Sequence, residues 1–330
     1  MLRIGLAGAG MVSRHHLIAW RAQSHRAQVV AIADPSDAAI TTRGEGFSIP
    51  RRYPDADAML EAEALDAIDI ASPRETHAAI VEAAIARGIP TLCQKPLAPT
   101  LPEAEALVAR VAGRARLMVH ENWRFRPYYR DMHAWIAEGR IGTPRQALAT
   151  LLTAGMLPGT DGTRPALTRQ PFMRDLTRML VAEVLIHHLD TLRFLLGPLT
   201  VQAATLGRTC EELRGEDRAA ITLAGQGGLA ALLLGNMSTP GAAPTQTDEV
   251  TIIGDTGTIR LSGDRMTLDA PQGHDERHYD LAACYQGSYD AVIAHFLDRL
   301  SDGAPFETSP ADNLETLRLV EDCYARATPA

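Results

Sequence analysis

The stretch LRIGLAGAGMVS, residues 2–13, decides the fold of the first half of this chain. Its first part, Leu2–Ala7, is a short apolar run of the kind that forms a buried parallel strand. The loop GAGMVS follows, and the next segment, RHHLIAWRAQ, has the apolar spacing of a helix. A strand, a glycine-rich turn and a helix in this order predict the first βα unit of a parallel sheet.

The alternation of strands and helices continues to residue 120 and then stops. Further strands of the first part are predicted at 28–34, 66–71, 89–93 and 115–119, and its helices at 75–87 and 102–112. The second part is predicted to contain strands at 145–153, 199–206, 217–223, 228–235 and 248–253, a long loop at 154–175, a helix over Leu176–Leu196, and closing helices over Ser288–Leu300 and Asn313–Ala327.

These patterns predict two domains of different architecture. Residues 1–120 should form an α/β Rossmann domain with a doubly wound parallel sheet, because repeated βα units cover both faces of such a sheet. Residues 121–330 should form an α+β domain with a large, mostly antiparallel open sheet. The C-terminal helix is free to pack back on the first domain. A chain of 330 residues suits two domains better than one.

The composition excludes several classes of protein. Hydrophobic residues make up 46% of the chain and charged residues 22%, as in an ordinary globular protein. A net charge of −8, from 32 basic and 40 acidic residues, argues against a general nucleic-acid binder. No apolar run approaches the ~20 residues of a membrane span, and the N-terminus lacks the plan of a signal peptide. The four cysteines show no CxxC spacing, so we expect free thiols in a cytoplasmic protein.

The loop GAGMVS has the features of a dinucleotide site. Gly8 permits a tight turn after the strand, and Gly10 lets the backbone approach a pyrophosphate. The following helix directs its free N–H groups at the negative charge. Ser13 stands where the usual fingerprint has its third glycine, and a small residue there still allows close packing of the helix.

Asp34 ends the second strand and is the predicted partner of the adenosine ribose. Its carboxylate can accept hydrogen bonds from the ribose hydroxyls and would repel a 2′-phosphate, so we expect NAD rather than NADP. Arg43 or Arg14 could soften that preference. The alternative for Asp34 is a turn-forming role before Pro35, and one residue can serve both purposes.

Four motifs in order resemble the Gfo/Idh/MocA oxidoreductases, the family of glucose–fructose oxidoreductase and inositol dehydrogenase. They are GAGMVS at 8–13, SPRETHAAIVEAAIARGIPTLCQKPLA at 72–98, ENWRFRP at 121–127 and EVLIHHLD at 183–190. The resemblance covers both predicted domains. It implies an NAD-dependent dehydrogenase that acts on the CH–OH group of a sugar or cyclic polyol, and a homodimer or homotetramer formed through the second-domain sheet.

The resemblance also assigns residues in the first domain. It implies that Lys95 lies beside the nicotinamide and the reacting carbon, where its ammonium stabilises a developing oxyanion and helps proton transfer. Gln94 stands where the family usually has Glu, and the peptide bond before Pro96 is expected to be cis. Asn122 and Arg124 are predicted to border the substrate. The predicted cofactor-binding residues are Gly8, Gly10, Met11, Val12, Asp34, Ser72, Pro73, His77, Gln94 and Lys95.

The family's Asp-x-Gly-x-His-x-x-Asp motif falls on Glu183, Leu185, His187 and Asp190. On an ideal α-helix His187 lies about 40° from Glu183 and Asp190 about 20° on the other side, whereas His188 lies about 140° away. We therefore predict His187 as the group that exchanges the hydroxyl proton, since imidazole titrates near neutrality. Glu183 and Asp190 would orient the imidazole or hold substrate hydroxyls. For His188 we expect packing or backbone capping.

Other readings remain open at this point. His187 could be a packing histidine, and Glu, His and Asp together could bind a metal, although no further His/Cys cluster supports a metal site. The arginines around the long loop could bind substrate or form a solvated face; they are Arg164, Arg169, Arg174 and Arg178. Trp123 suits the pocket or the core equally.

The substrate and the reaction also have alternatives. The segments QKP, ENWRF and QPFMRD–EVLIHHLD resemble a subgroup that includes aldose dehydrogenases such as D-apiose dehydrogenase, which oxidise the anomeric carbon to a lactone. Oxidation at a ring carbon or reduction of a keto sugar is compatible with the same residues. The rival class is a non-catalytic NAD(P)-binding sensor of the same fold, which would not need Lys95 and His187.

Overall fold

Two β-sheets organise the chain, one in each of two separate units. The computed structural model describes residues 1–114, 116–245 and 247–329. The first unit comprises Met1–Phe125 and Tyr285–Leu317, and the second comprises Arg126–Cys284 and Arg318–Ala330. The domain boundary predicted at residues 120 and 121 stays a prediction.

The first unit contains a six-stranded parallel sheet with the order β3-β2-β1-β4-β5-β6. Its strands are β1 (Leu2–Ala7), β2 (Ala27–Ala33), β3 (Arg51–Tyr53), β4 (Ala67–Ile70), β5 (Thr91–Gln94) and β6 (Leu117–His120). Its helices are α1 (Ser13–Ala22), α2 (Asp37–Phe47), α3 (Ala56–Ala62), α4 (His77–Ala86), α5 (Leu101–Val111) and most of α9 (Leu281–Asp302). Because the strands are parallel, all their carboxyl ends lie at one edge of the sheet.

Helices cover both faces of this sheet, as its buried and mostly apolar central strands require. On one face α3, α4 and α5 pack over Ile68, Ile70 and Cys93. On the other face α1 and α9 pack over Ile4 and Leu92. This arrangement is the doubly wound Rossmann architecture, so the predicted fold of the first part is confirmed.

The second unit contains a nine-stranded, mostly antiparallel sheet with the order β14-β13-β12-β11-β7-β10-β9-β8-β15. The strands are β7 (Pro144–Leu152), β8 (Leu199–Gly207), β9 (Arg218–Gly225), β10 (Ala230–Asn236), β11 (Asp248–Gly254), β12 (Thr258–Ser262), β13 (Arg265–Ala270), β14 (Gly273–His278) and β15 (Ala327–Pro329). Its helices include α6 (Pro127–Ala137), α7 (Pro165–Arg169), α8 (Ile186–Leu196) and part of α10 (Pro310–Ala325). The predicted α+β fold class is confirmed.

The helix predicted over Leu176–Leu196 is wrong in its first half. A π-helix spans Leu180–Leu185, and the regular α8 begins only at Ile186. A π-helix bonds each carbonyl to the N–H five residues on, so it turns less per residue than an α-helix. The angular arithmetic that relates Glu183 to His187 therefore does not apply, because Glu183 lies in the π segment.

Four further predictions need correction. The predicted loop at 154–175 contains α7 and a 3₁₀ turn over Pro171–Asp175, each with a proline in its first turn, where a missing N–H costs nothing. Ala327, predicted to be helical, instead pairs with Ala204 of β8. The helix predicted over Ser288–Leu300 is longer and spans Leu281–Asp302. The strand predicted at 115–119 is observed over Leu117–His120, and Ala115 lies outside the described residues.

The sequence did not predict α2, β3, α3, β13 or β14. The α2 sequence contains two threonines and two glycines, so its local preference for helix is weak. All six residues of β14 are exposed, so that strand has no apolar alternation to reveal it. Among the described residues, no helix combines the length and the apolar character that crossing a membrane requires.

Candidate active site

The glycine-rich turn after β1 is shaped by its two glycines in different ways. Gly8 has φ +104°, and a Cβ there would lie 2.6 Å from backbone atoms of Ala71 and Ser72. Only glycine therefore lets this turn pack against the segment that follows β4. A Cβ on Gly10 would meet nothing within 4 Å, so the space beside it is open. The Ser13 hydroxyl donates to the Gly10 carbonyl at 2.6 Å, which gives the substitute for the third glycine a role of its own.

Asp34 ties this turn to the end of β2. Its Oδ2 accepts the N–H of Ala9 at 2.7 Å, and its Oδ1 accepts the N–H of Ser36 at 2.9 Å. The turn-forming role considered for Asp34 is thus present. These two bonds use one lone pair of each oxygen, which leaves acceptor capacity for further donors.

Arg43 lies against the same turn. Its guanidinium donates to the Ser13 hydroxyl at 3.2 Å and to the Gly10 carbonyl at 3.1 Å. Burial lowers the pKa of Arg43, and the neighbouring Arg14 lowers it further. The two arginines that could soften the preference for NAD are therefore near each other, and Arg43 is engaged with the backbone of the turn.

The segments after β4 and β5 are joined by His77. This buried imidazole places Nδ1 2.8 Å from the carbonyl of Pro96 and Nε2 2.9 Å from the carbonyl of Ser72. Burial lowers the pKa of His77, although the two carbonyls oppose that shift. Both ring nitrogens face backbone carbonyls, so His77 links the two segments, and its role in cofactor binding stays a prediction.

Lys95 follows β5 at the same edge of the sheet. The Lys95–Pro96 peptide bond is cis, as expected. The Lys95 N–H donates to Oε1 of Gln94 at 2.8 Å, and the lysine side chain is partly exposed. Lys95 is the only lysine in the sequence, beside 31 arginines. Lysine carries a compact ammonium on a flexible stem, whereas arginine carries a planar guanidinium, so this one lysine differs chemically from the 31 arginines.

The carboxyl edge of this sheet thus gathers most of the residues predicted to bind the cofactor. The glycine turn follows β1, Asp34 follows β2, Ser72 follows β4, and Lys95 follows β5. An open approach at Gly10, a helix N-terminus at Ser13 and a carboxylate at Asp34 fit a dinucleotide.

Asn122 and Arg124 are buried within the first unit. The Asn122 amide donates to the Ser288 hydroxyl at 2.7 Å, and the Arg124 guanidinium donates to the Asp312 carboxylate at 2.8 Å. These contacts hold the segment after β6 against α9 and α10. Direct contact of either residue with substrate stays a prediction.

In the second unit, Glu216 caps the start of the π-helix. Its carboxylate accepts the N–H of Met179 at 3.3 Å and of Val181 at 3.0 Å. The Tyr324 hydroxyl donates to Glu216 at 2.6 Å and accepts the N–H of Ala182 at 3.2 Å. Burial, and then the charge of Glu216, raise the pKa of Tyr324 far above its usual value. This network fixes the backbone immediately before Glu183.

The predicted polar stripe is divided by burial. Glu183 and His187 are partly exposed, whereas Asp190 is completely buried. An Asp190 oxygen lies 3.9 Å from the guanidinium of Arg193. Asp190 is therefore better suited to orienting neighbouring groups than to touching a substrate.

His188 belongs to a buried ionic network that sequence reasoning missed. Its Nε2 lies 3.4 Å from Oδ1 of Asp248. Oδ2 of Asp248 accepts bonds from Arg126 at 2.6 Å, Tyr129 at 3.0 Å and Tyr128 at 3.1 Å. Burial alone would raise the pKa of Asp248, but Arg126 and His188 outweigh it and hold that pKa well below its usual range. Packing was expected for His188, but the side-chain partner Asp248 was not.

Three of the four arginines around the long loop have acidic partners, and Arg169 donates to the amide oxygen of Gln170. Arg164 and Arg174 both bind Glu212, at 2.6 and 3.2 Å, and Arg178 binds Glu321 at 2.7 Å. These three pairs are at least partly exposed and do not form an empty basic pocket. Within the described residues, no group of three or more His, Cys, Asp or Glu side chains is arranged to hold a metal ion.

Comparison with known proteins defines the class. Residues 2–122 match the oxidoreductase family with an NAD-binding Rossmann fold, and residues 129–260 match the GFO/IDH/MocA C-terminal domain. The chain belongs to the GFO/IDH/MocA family of oxidoreductases, and it is an NAD-binding enzyme. The predicted family, enzyme class and cofactor are confirmed.

Individual relatives match over nearly the whole chain. A D-apiose dehydrogenase of Paraburkholderia graminis is 34% identical over 98% of this chain and 86% of its own length. A D-apiose dehydrogenase of Rhizobium rhizogenes is 34% identical over 99% and 95%. The crystal structure of an oxidoreductase from Agrobacterium radiobacter, in complex with NAD+, L-tartaric acid and magnesium, has a TM-score of 0.91 at 31% identity and covers 98% of this chain and 96% of that one.

Proposed function

We propose that this protein is an NAD-dependent dehydrogenase that oxidises a hydroxyl group of a sugar or cyclic polyol. The observation that carries the proposal is the position of Lys95, the sole lysine, at the sheet edge that also bears the glycine turn and Asp34. An ammonium at that edge can stabilise the oxygen of an alcohol as its charge develops. The D-apiose dehydrogenases that match the whole chain support this class of substrate.

We assign the proton chemistry to His187. A partly exposed imidazole can accept the hydroxyl proton at neutral pH, and Glu183 or Asp190 can orient it. Lys95 would hold a substrate oxygen by a hydrogen bond. When bound, NAD+ supplies the acceptor for the hydride, and the glycine turn and Asp34 would hold its pyrophosphate and adenosine ribose.

We favour an aldose that is oxidised at its anomeric carbon to a lactone. Oxidation at a ring carbon, as an inositol dehydrogenase carries out, would use the same residues, and so would the reverse reduction of a keto sugar. A non-catalytic sensor would need neither a single conspicuous lysine nor a partly exposed histidine beside a glutamate, so this alternative is not favoured.

We further propose that the second-unit sheet forms a homodimer or homotetramer interface. Its central strands expose an apolar group of side chains on one face, which consists of Leu148, Leu152, Leu232, Leu234 and Ile253. Register pairs Leu232 directly with Leu148, so the group is contiguous. A second copy of the chain is the simplest cover for such a face. Four free, buried cysteines support a cytoplasmic location.

The test is a screen for reduction of NAD+ with aldoses including D-apiose, inositols and uronic acids, with NADP+ measured in parallel. We expect turnover with an aldose and NAD+, and a fall in kcat of about 10²-fold or more in Lys95→Ala and His187→Ala. Arg110→Ala, at an exposed arginine of α5, serves as the control and should retain turnover. Binding of NAD without turnover on any compound would favour the non-catalytic sensor. Full activity of His187→Ala would show that His187 takes no part in the reaction.

A further inference from the structure

A chain of hydrogen bonds runs through the core of the first unit and ends at Lys95. His16 Nδ1 and Trp20 Nε1 both contact Oδ2 of Asp69, at 2.8 and 2.7 Å. His16 Nε2 lies 3.2 Å from the amide nitrogen of Gln94, and Oε1 of Gln94 accepts the N–H of Lys95 at 2.8 Å. The side chains of His16 and Asp69 are fully buried.

The donors and acceptors along this chain allow one arrangement. The backbone N–H of Lys95 can only donate, so the oxygen of Gln94 faces it and the NH2 group faces His16. An ionised carboxylate can only accept, so the proton of His16 is on Nδ1, towards Asp69. Nε2 of His16 then carries a lone pair, which is what the Gln94 NH2 group requires. With His16 protonated on Nδ1, every donor and acceptor that links Asp69 to Lys95 is paired, whereas the buried Oδ1 of Asp69 has no hydrogen-bond partner.

We propose that Asp69 and His16, acting through Gln94, are positioning residues for Lys95. The proposal rests on the proposed catalytic role of Lys95. Two strands and one helix contribute: Asp69 belongs to β4, Gln94 ends β5, and His16 lies on α1. The carboxylate orients the imidazole, the imidazole orients the amide, and the amide oxygen fixes the backbone from which the only ammonium side chain extends. The NH2 group of Gln94 faces Nε2 of His16, so this glutamine requires a lone pair on that nitrogen.

A second contact holds the carbonyl of Pro96, on the other side of Lys95. The carbonyl of Pro96 lies 2.8 Å from Nδ1 of His77. The backbone is thus held by hydrogen bonds at the N–H of Lys95 and at the carbonyl of Pro96, on either side of the lysine side chain. Fixing a reactive group at two points lowers the number of positions it samples, which is how distant residues affect turnover.

The surroundings of His16 predict the effect of replacing Gln94 by glutamate. The groups that face His16 are Asp69 from β4, Gln94 from β5, His120 from the end of β6, whose ring centroid is 4.2 Å away, and Tyr289 from α9 at 5.4 Å. In Gln94→Glu, the carboxylate has no proton to donate to Nε2. His16 must then take up a second proton and bridge two carboxylates, or the contact is lost.

The unique lysine makes a direct test possible. Protein labelled with ¹⁵N-lysine shows one backbone amide signal, that of Lys95, and it is the N–H that Gln94 accepts. We expect this amide to be protected from exchange with solvent in the wild type. Exchange should become about fivefold or more faster in Gln94→Met and in His16→Gln, because the acceptor or its anchor is lost.

His15→Asn is the matched control for this measurement. His15 is the next residue on α1, but its Nδ1 bonds Gln286 at 2.8 Å and not a member of the chain. In His15→Asn, the Lys95 amide should exchange as slowly as in the wild type. Exchange of Lys95 that is equal in wild type, Gln94→Met and His16→Gln would overturn the proposal. This measurement needs no substrate, so it decides the proposal even where the screen for dehydrogenase activity fails.

The kinetic arm separates positioning from a merely structural role. In Gln94→Met, kcat should fall by about 10- to 100-fold with little change in KM for NAD+. A Gln94→Met enzyme with wild-type kcat would contradict the positioning role.

Discussion

Nε2 of His188 lies 3.4 Å from Oδ1 of Asp248, with both side chains almost completely buried. The adjacent His187 is partly exposed. Two neighbouring histidines of identical chemistry therefore have different tasks. His188 joins α8 to the first residue of β11 through a buried charge, and this leaves His187 as the candidate for proton transfer.

Replacing Asp248 by Asn should destabilise the second unit strongly. Arg126 is buried and loses its carboxylate, and breaking a buried ion pair costs about 3–5 kcal/mol. Unfolding by urea measures the change in the free energy of unfolding. The control is Asp255→Asn, which breaks an exposed pair with Arg145 and should leave the midpoint unchanged. Equal midpoints for both variants would show that the buried network contributes nothing.

Tyr324→Phe should affect the helix that carries His187. It removes the hydroxyl that bridges Glu216 and the N–H of Ala182, at a cost of about 1–3 kcal/mol in unfolding free energy. We also expect a lower kcat with unchanged NAD+ affinity, since the lost bonds lie in the second unit. Tyr279→Phe removes a hydroxyl bonded to Asp131 and should preserve kcat. A Tyr324→Phe enzyme with wild-type kcat would show that the Glu216–Tyr324 network does not affect catalysis.

His77 predicts a pH dependence of stability. Its pKa is lowered in the folded state, so the unfolded chain binds more protons between that value and about 6.5. The contribution of His77 to the free energy of unfolding is complete above about pH 6.5. It is lost as the pH falls through the lowered pKa of the folded state. The free energy of unfolding should therefore decline less steeply on acidification in His77→Gln. His25→Gln, at an exposed histidine, should keep the wild-type slope, and identical slopes in all three proteins would refute the prediction.

Asp34→Asn should reduce the preference for NAD+ over NADP+. The amide oxygen can still accept one of the two backbone N–H groups that Asp34 holds, but the negative charge that repels a 2′-phosphate is removed. We expect the ratio of kcat/KM values for NAD+ and NADP+ to fall by about tenfold, which corresponds to about 1.4 kcal/mol. Asp37→Asn, at an exposed aspartate nearby, should leave the ratio as it is. An unchanged ratio in Asp34→Asn would assign Asp34 to the turn alone.

Leu232→Glu should dissociate the proposed oligomer. The side chain is 45% exposed in the single chain and faces Leu148 across the β7–β10 pair. A charge at the centre of a buried interface is costly, whereas Leu232→Met keeps the apolar surface. Sedimentation should give a smaller particle for Leu232→Glu and the wild-type particle for Leu232→Met. A wild-type protein that is monomeric at all concentrations would contradict the proposed interface.

Local patterns were enough to predict much of the cofactor edge. The strand, turn and helix around Gly8 and the position of Asp34 at the end of β2 follow from apolar runs and turn residues. Parallel strands share one carboxyl edge, so strand prediction alone places Lys95 at the same edge as the glycine turn. The start of α8 was not predictable in this way, because the π-helix arises where Glu216 and Tyr324 bind its first N–H groups.

By itself, the sequence determined the family, the two kinds of sheet and the residues that a dinucleotide requires, because these depend on periodicity and on short motifs. Only the tertiary structure decided that His16, Asp69 and Gln94 form one chain, and that Arg126 and Asp248 form a buried pair. The members of these networks lie up to 122 residues apart. Their hydrogen bonds exist because packing brings buried polar atoms together and leaves them no water, a condition that no local pattern encodes.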